Sequence, residues 1–440
     1  MDVRLLATNE PLFSLNPRRF LLPASNQKLL TTAVAAERLG WDFRFVTRVV
    51  STGTVAPDGT LTGDLIVIGT GDPSINPRHP ERWHVFDDWA ATLQTLGIRS
   101  IGGHIIGDDN AIEEPGLGEG WSWDNLQYGY GTAVGALQYN ENQVELIIAP
   151  GLEAGKPAAI SSSPAGHGLL IHNLVATAEA GATSDLDIAR LPASNVIEIR
   201  GRIAADAKPT TITASVENPT LFYLHALKDA LERHGIAVTS SAIDVDDLRS
   251  PLDLTHPTEL IVDRSPPLSE IIDVCLKWSR NEYAETLLRA LAPPDHPASA
   301  PGGLDAIRSQ LDAWGIAPEL YLARDGSGLS RQDYVSAEAF TRLLSHIAND
   351  AKLFDPFRSA LPVAGVSGTL ADRMKATAAE NHVWAKTGTL LNVRTLSGYA
   401  ITNGGETVVF SMLANNFRVP ATEIDAAMDK ALARIVEFKR

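Results

Sequence analysis

This 440-residue sequence predicts an α/β protein of the α+β kind, whose two ends fold together around an inserted, β-rich middle. Three observations carry that prediction. Helical spacing of apolar residues dominates the ends, at about 24–38 and again at about 268–291, 301–314, 336–349 and 420–438. Three strands interrupt the late helices, Val383–Ala385, Val393–Ile401 and Thr407–Leu413, with the turn Asn403-Gly404-Gly405 joining the last two into an antiparallel hairpin. Residues of about 150–215 alternate polar and apolar in short segments and carry few helical periods. The expected fold is an antiparallel sheet flanked by helices, with a large inserted region of two smaller, β-rich subdomains.

Taken in order, Val3-Arg4-Leu5-Leu6 and Leu12-Phe13-Ser14-Leu15 read as short strands around the turn Thr8-Asn9-Glu10-Pro11. The first helix follows Pro23 and stops at Gly40, since proline suits a helix start and glycine its end. From Phe43 to Ile68 the pattern changes to strands. Val46–Val50 and Leu61–Ile68 flank the turn Ala56-Pro57-Asp58-Gly59. In the middle region, Val196–Ile199 and Thr211–Val216 alternate as strands do. Leu221–His234 then returns to helical spacing and ends at Gly235.

Composition narrows the function classes. With 44% hydrophobic and 20% charged residues the chain is globular, and its length suits two to three domains. A formal net charge of −16 without basic runs argues against nucleic acid or an anionic membrane as the main partner. The single cysteine, Cys275, excludes an internal disulfide framework and falls in the apolar stretch Ile271–Leu276, as a buried small hydrophobe would. No run reaches transmembrane length, and residues 1–20 lack the charged start and apolar core of a signal peptide. That pattern fits either a cytosolic chain or one beginning downstream of an export signal. The eleven histidines show no metal-ligand spacing, so no metal and no cofactor is expected.

Chemistry is concentrated in Ser25-Asn26-Gln27-Lys28, at the start of the first helix. Three residues along a helix rise about 4.5 Å and turn about 300°, so Ser25 and Lys28 share one face. A serine hydroxyl attacks poorly until a base takes its proton, and a neutral lysine within reach is such a base. The helix start adds unpaired backbone N–H groups and the positive end of the dipole. The competing reading makes Ser25 a cap and Lys28 a solvated first-turn residue, and a Ser-x-x-Lys match is expected about once by chance in a chain this long.

Two further segments supply partners. Val383-Trp384-Ala385 runs into Lys386-Thr387-Gly388-Thr389, where an edge-strand lysine offers a cation to a carboxylate and Thr387 a hydroxyl. Gly388 permits close backbone approach, and the N–H of Thr389 is a candidate oxyanion donor with that of Ser25. Ser279-Arg280-Asn281 sits within Leu276–Glu285, inside the helical spacing at about 268–291. By itself a Ser-x-Asn pair is most simply a helix cap.

In chain order these three segments resemble the Ser-x-x-Lys, Ser-x-Asn and Lys-Thr-Gly set of the penicillin-recognising serine acyltransferases, with Arg280 where Ser-Asp-Asn has its aspartate. Ser25 and Ser279 lie 254 positions apart, and Ser279 and Lys386 lie 107 apart. The long first interval resembles the class C low-molecular-mass penicillin-binding proteins, D-alanyl-D-alanine carboxypeptidases and endopeptidases of the penicillin-binding protein 4 (DacB) type. The likeness extends through Gly69–Pro73, Gly107–Asp109, Trp121–Asp124, Asp325–Arg331 and Gly365–Leu370.

The resemblance implies a transpeptidase-like catalytic domain at 1–48 and 258–440. An inserted α/β domain would occupy 49–152 and 213–257, and a nested β-rich domain 153–212. Ser25 would be the nucleophile and Lys28 the base, its pKa lowered by burial and by the charge of Lys386. Ser279 would relay a proton. Asn281, Lys386, Thr387, Gly388 and Thr389 would bind substrate. An acid after the paired tryptophans meets the diaminopimelate side chain in family members. Here Asp124 is followed by Asn125, where the acid is expected, so the two residues are candidates for side-chain recognition, and Trp121 and Trp123 could equally anchor a loop. Implied partners are peptidoglycan stem peptides ending in D-Ala-D-Ala and β-lactams as covalent inhibitors, and the implied location is periplasmic or otherwise extracytoplasmic. A serine β-lactamase or esterase on the same fold, or a non-catalytic peptidoglycan-binding protein, are the alternatives.

Overall fold

Strands from the two ends of the chain share one sheet. Its order is Val383–Leu390, Val393–Ile401, Thr407–Asn415, Asp2–Leu5 and Pro11–Ser14, and each neighbouring pair is antiparallel. Side chains alternate between the faces of a strand, so Val393–Ile401 serves two layers at once. Leu396 and Ala400 join Val408, Phe410 and the helix residues Met428, Leu432 and Val436 in one core. Each of the larger of these side chains, valine, leucine, methionine or phenylalanine, contributes about 1.5–3 kcal/mol by leaving water. On the other face Thr395 Oγ1 donates to Pro23 O at 2.8 Å, Asn26 Nδ2 donates to Ser397 Oγ at 2.6 Å, and Tyr399 donates to Leu344 O at 2.7 Å. The even positions build the core under helix Ala421–Glu437; the odd positions carry the segment around Ser25.

The structure is a computed structural model describing residues 1–294 and 296–439. It divides into two compact units, one of Met1–Phe43, Gly118–Trp121 and Pro266–Arg440, the other of Arg44–Leu117 and Ser122–Ser265.

In the first unit a single 3₁₀ turn, Ala24–Asn26, leads into helix Gln27–Leu39. Every residue from Gln27 to Ala36 is buried, so this helix runs through the interior rather than along a surface. The helical stretch expected at 268–291 is two helices, Leu268–Lys277 and Asn281–Ala290. The break has a local cause: Ser279 takes φ +59° and Arg280 is extended, which ends one helix and starts the next. Lys386 was expected at a strand end and instead lies within a strand that continues to Leu390. Lys386 pairs with Ser397 and Gly388 with Thr395, both on the face that carries Ser25.

The second unit contains a five-stranded mixed sheet, in the order Ala242–Asp244, Ile105–Asp108, Leu65–Ile68, Val46–Ser51 and Thr258–Arg264. Leu61 is not part of a hairpin with Val46–Val50: Thr60–Leu61 is a separate short strand beside Ser100–Ile101. Two helices, Val85–Thr95 and Pro219–Arg233, contribute Trp89, Leu93, Phe222 and Leu227 to the core of this unit. Between 150 and 215 the residues form five strands without helices, which with Gln143–Ala149 make two three-stranded sheets.

Candidate active site

The Ser25 hydroxyl faces a lysine that is entirely out of solvent. Lys28 Nζ lies 3.1 Å from Ser25 Oγ, 2.6 Å from Asn281 Oδ1 and 2.8 Å from Ser327 O. The capping reading of this segment fails on both counts, since neither Ser25 nor Asn26 makes a side-chain cap bond and Lys28 is buried. Ala24, immediately before Ser25, holds φ +46°. This left-handed backbone is tolerated because Gly328 packs directly on it: a Cβ at Gly328 would meet Ala24 O at 1.8 Å.

Ser279 and Asn281 straddle the helix break, and each contacts a different lysine. Asn281 Oδ1 accepts from Lys28 Nζ at 2.6 Å, while Ser279 Oγ accepts from Lys386 Nζ at 2.8 Å. Lys386 also donates to Thr387 O at 2.8 Å and is fully buried. Ser25, Lys28, Asn281, Ser279 and Lys386 therefore converge from three segments of the first unit. Gly388 closes the floor, because a Cβ there would meet Thr395 Oγ1 at 2.1 Å, Pro23 O at 2.9 Å and Ser25 N at 3.0 Å. Thr387 lies off this chain of contacts, its hydroxyl donating to Thr369 Oγ1 at 2.7 Å, and Thr389 is exposed on the same strand.

Burial governs the charges. It lowers Lys28 from the ordinary 10.5 to about 8, against the pull of the Asp325 and Glu285 carboxylates. Lys386 is pushed well below its usual range, first by burial and then by the charge of Lys28. Lys28 and Lys386 repel one another, and the Arg280 guanidinium adds to the charges that disfavour a protonated Lys28. Burial also pushes the Cys275 thiol up to about 12, which keeps it inert at neutral pH.

Sequence reasoning gave no role to the residues behind Lys28. Asp325 Oδ1 accepts from Gly328 N at 2.6 Å, and Asp325 Oδ2 from Ser330 N at 2.7 Å and Trp121 Nε1 at 2.8 Å. Glu285 Oε1 accepts from Gly326 N at 3.0 Å and Ser327 N at 2.9 Å. The available signal was the acid at position 285, four residues after Asn281 in an apolar helix and so on the same face. The paired tryptophans part company: Trp121 anchors on Asp325, whereas Trp123 is 62% exposed in the second unit. Asp124 and Asn125 form a 3₁₀ turn with Trp123 there, and Asn125 Oδ1 accepts from Tyr130 at 3.2 Å.

Comparison with known proteins gives the family. Residues 1–435 match the model of the D-Ala-D-Ala carboxypeptidase 3 (S13) family. The chain belongs to that family. Among its relatives, a D-alanyl-D-alanine carboxypeptidase of Actinomadura sp. is 33% identical over 98% of this chain and 80% of its own length. The D-alanyl-D-alanine carboxypeptidase DacB of Haemophilus influenzae is 28% identical over 98% and 87%. The crystal structure of penicillin binding protein 4 (dacB) from Haemophilus influenzae superposes with a TM-score of 0.86 at 26% identity, covering 99% of this chain and 96% of that one. Family membership makes this chain a serine hydrolase of the D-Ala-D-Ala carboxypeptidase and penicillin-binding type, with the penicillin-binding fold.

Proposed function

We propose that this S13-family chain removes the terminal D-Ala from peptidoglycan stem peptides through an acyl-enzyme on Ser25, with Lys28 as the base. The three partners of Lys28 carry the reading. Asn281 Oδ1 and the Ser327 carbonyl accept hydrogen bonds and cannot donate, whereas Ser25 Oγ can do both. A neutral amine keeps its two N–H bonds on the oxygens that only accept. Its lone pair is left facing the serine O–H.

Ser25 Oγ then attacks the carbonyl carbon of the penultimate D-Ala as its proton passes to Lys28. The developing oxyanion is held by the N–H groups of Ser25 and Thr389. The C–N bond breaks, the leaving amine takes a proton through Ser279, and free D-Ala departs. Water then hydrolyses the ester. Lys386 and Thr387 bind the terminal carboxylate, Gly388 lets the peptide backbone approach, and Asn281 holds both Lys28 and the substrate amide. Asp124 and Asn125 are assigned to the side chain of the third stem residue, where an amide in place of an acid weakens preference for a free amine.

A relative's crystal structure contains penicillin binding protein 4 complexed with a β-lactam. The same acylation at Ser25 makes β-lactams covalent inhibitors of this chain. They leave slowly, because no local motif supplies a dedicated water activator of the kind in class A β-lactamases. Action on peptidoglycan places the protein outside the cytoplasm. Incubation with a peptide ending in D-Ala-D-Ala tests the reading: free D-Ala should accumulate with wild type and not with Ser25→Ala. Cleavage of an ester or a cephalosporin without release of D-Ala would reject it.

A further inference from the structure

We propose that Glu285 is a positioning residue for acylation, its carboxylate holding the Ser327 carbonyl in place as an acceptor for the Lys28 amine. The inference rests on the assignment of Ser25 and Lys28 above. Asn281 and Glu285 lie one turn apart on helix Asn281–Ala290, so one helix face serves Lys28 twice. Asn281 acts directly at 2.6 Å. Glu285 acts through the loop: its Oε1 accepts from the N–H groups of Gly326 and Ser327, and the Ser327 carbonyl then lies 2.8 Å from Lys28 Nζ.

The loop has little freedom to place that carbonyl otherwise. Thr31 Oγ1 donates to Gly326 O at 2.8 Å from the helix that bears Lys28. Gly326 lies directly on the other helix, where a Cβ would meet Ala284 O at 2.7 Å and Leu288 Cβ at 2.9 Å. Glu285 is fully buried; burial and the Asp325 carboxylate raise its pKa, while Arg289 Nη1 at 3.2 Å and the two N–H donors favour its ionised form. Without a fixed Ser327 carbonyl, a neutral Lys28 turns an N–H toward Ser25 as readily as its lone pair, and the base is lost.

The test compares Glu285→Ala with Glu285→Gln, measuring acylation by a fluorescent penicillin and D-Ala release across pH. E285A, which cannot accept the two N–H bonds, should lose about 10²-fold in kcat and acylation rate with KM nearly unchanged. E285Q keeps an oxygen for both and should recover most of that loss at its limiting pH. Its acid limb should move to lower pH, because a negative charge that holds Lys28 protonated is gone. The other groups facing Lys28, namely Asp325, Arg280, Cys275 and Lys386, are unchanged in both variants. A folded E285A within about threefold of wild type overturns the proposal. An E285Q as slow as E285A overturns it too. Where E285A does not fold, E285Q decides, and an unmoved acid limb then overturns the proposal. Failure of the wild type itself to acylate at Ser25 counts against the underlying assignment instead.

Discussion

Lys386 Nζ lies 2.8 Å from Ser279 Oγ, a bond that ties a strand-borne lysine to the serine in the helix break. In the proposed reading this amine meets the substrate carboxylate, whose negative charge favours its protonated form. Lys386→Met should therefore cost a D-Ala-D-Ala peptide roughly 10–100-fold in kcat/KM, the worth of a charge-assisted hydrogen bond. An ester substrate without a terminal carboxylate should lose much less. Steady-state kinetics on both substrates checks this, and equal losses would contradict the carboxylate role.

Acylation should follow the neutral form of Lys28. With that group at about 8, the rate of penicillin acylation should fall about tenfold per pH unit below that value and level off above it. Lys28→Met should lower the rate by at least about 10²–10⁴-fold and leave no acid limb near 8. Stopped-flow acylation at a series of pH values measures both.

The same shift has a sign in stability. A buried amine with a depressed pKa penalises the folded state in full below about 8, and the penalty fades as pH rises to the ordinary 10.5, where the unfolded chain also loses its proton. Across that window wild type should gain about 3 kcal/mol relative to Lys28→Met. Denaturant unfolding of both proteins at the two ends of the window reads the difference. A gap independent of pH would show that Lys28 is not depressed.

Two glycines hold the nucleophile turn in place. At Gly388 an added Cβ would press on Ser25 N and Pro23 O, so Gly388→Ala should displace Ser25 and slow acylation about 10²-fold. At Gly328, with φ +83° and Ala24 O in the way, alanine should cost about 3 kcal/mol or more and lower the melting temperature. Thermal melts and acylation rates on the two variants separate these effects.

Much of this was legible from residue types and spacing. Alternation of side chains marked the late hairpin, and Ser25, Lys28, Ser279, Asn281 and Lys386 were each named before their positions were known. What stayed hidden was set by backbone and burial. Helical periodicity runs straight through Ser279, because a left-handed residue leaves no mark in an apolar pattern. Extension of the strand past Lys386 depends on Gly388 and Thr395 fitting against Pro23, a contact between segments more than 360 residues apart. The Ser327 carbonyl, a main-chain group, has no sequence signature, and the only trace of Glu285 was its spacing of four from Asn281 on a helix.

The central claim is that Ser25 is acylated. Wild-type protein treated with a labelled penicillin, digested and analysed by mass spectrometry should carry one adduct, on the peptide containing Ser25, and Ser25→Ala should carry none. An adduct on another residue, or a covalent adduct that persists in Ser25→Ala, would contradict the account.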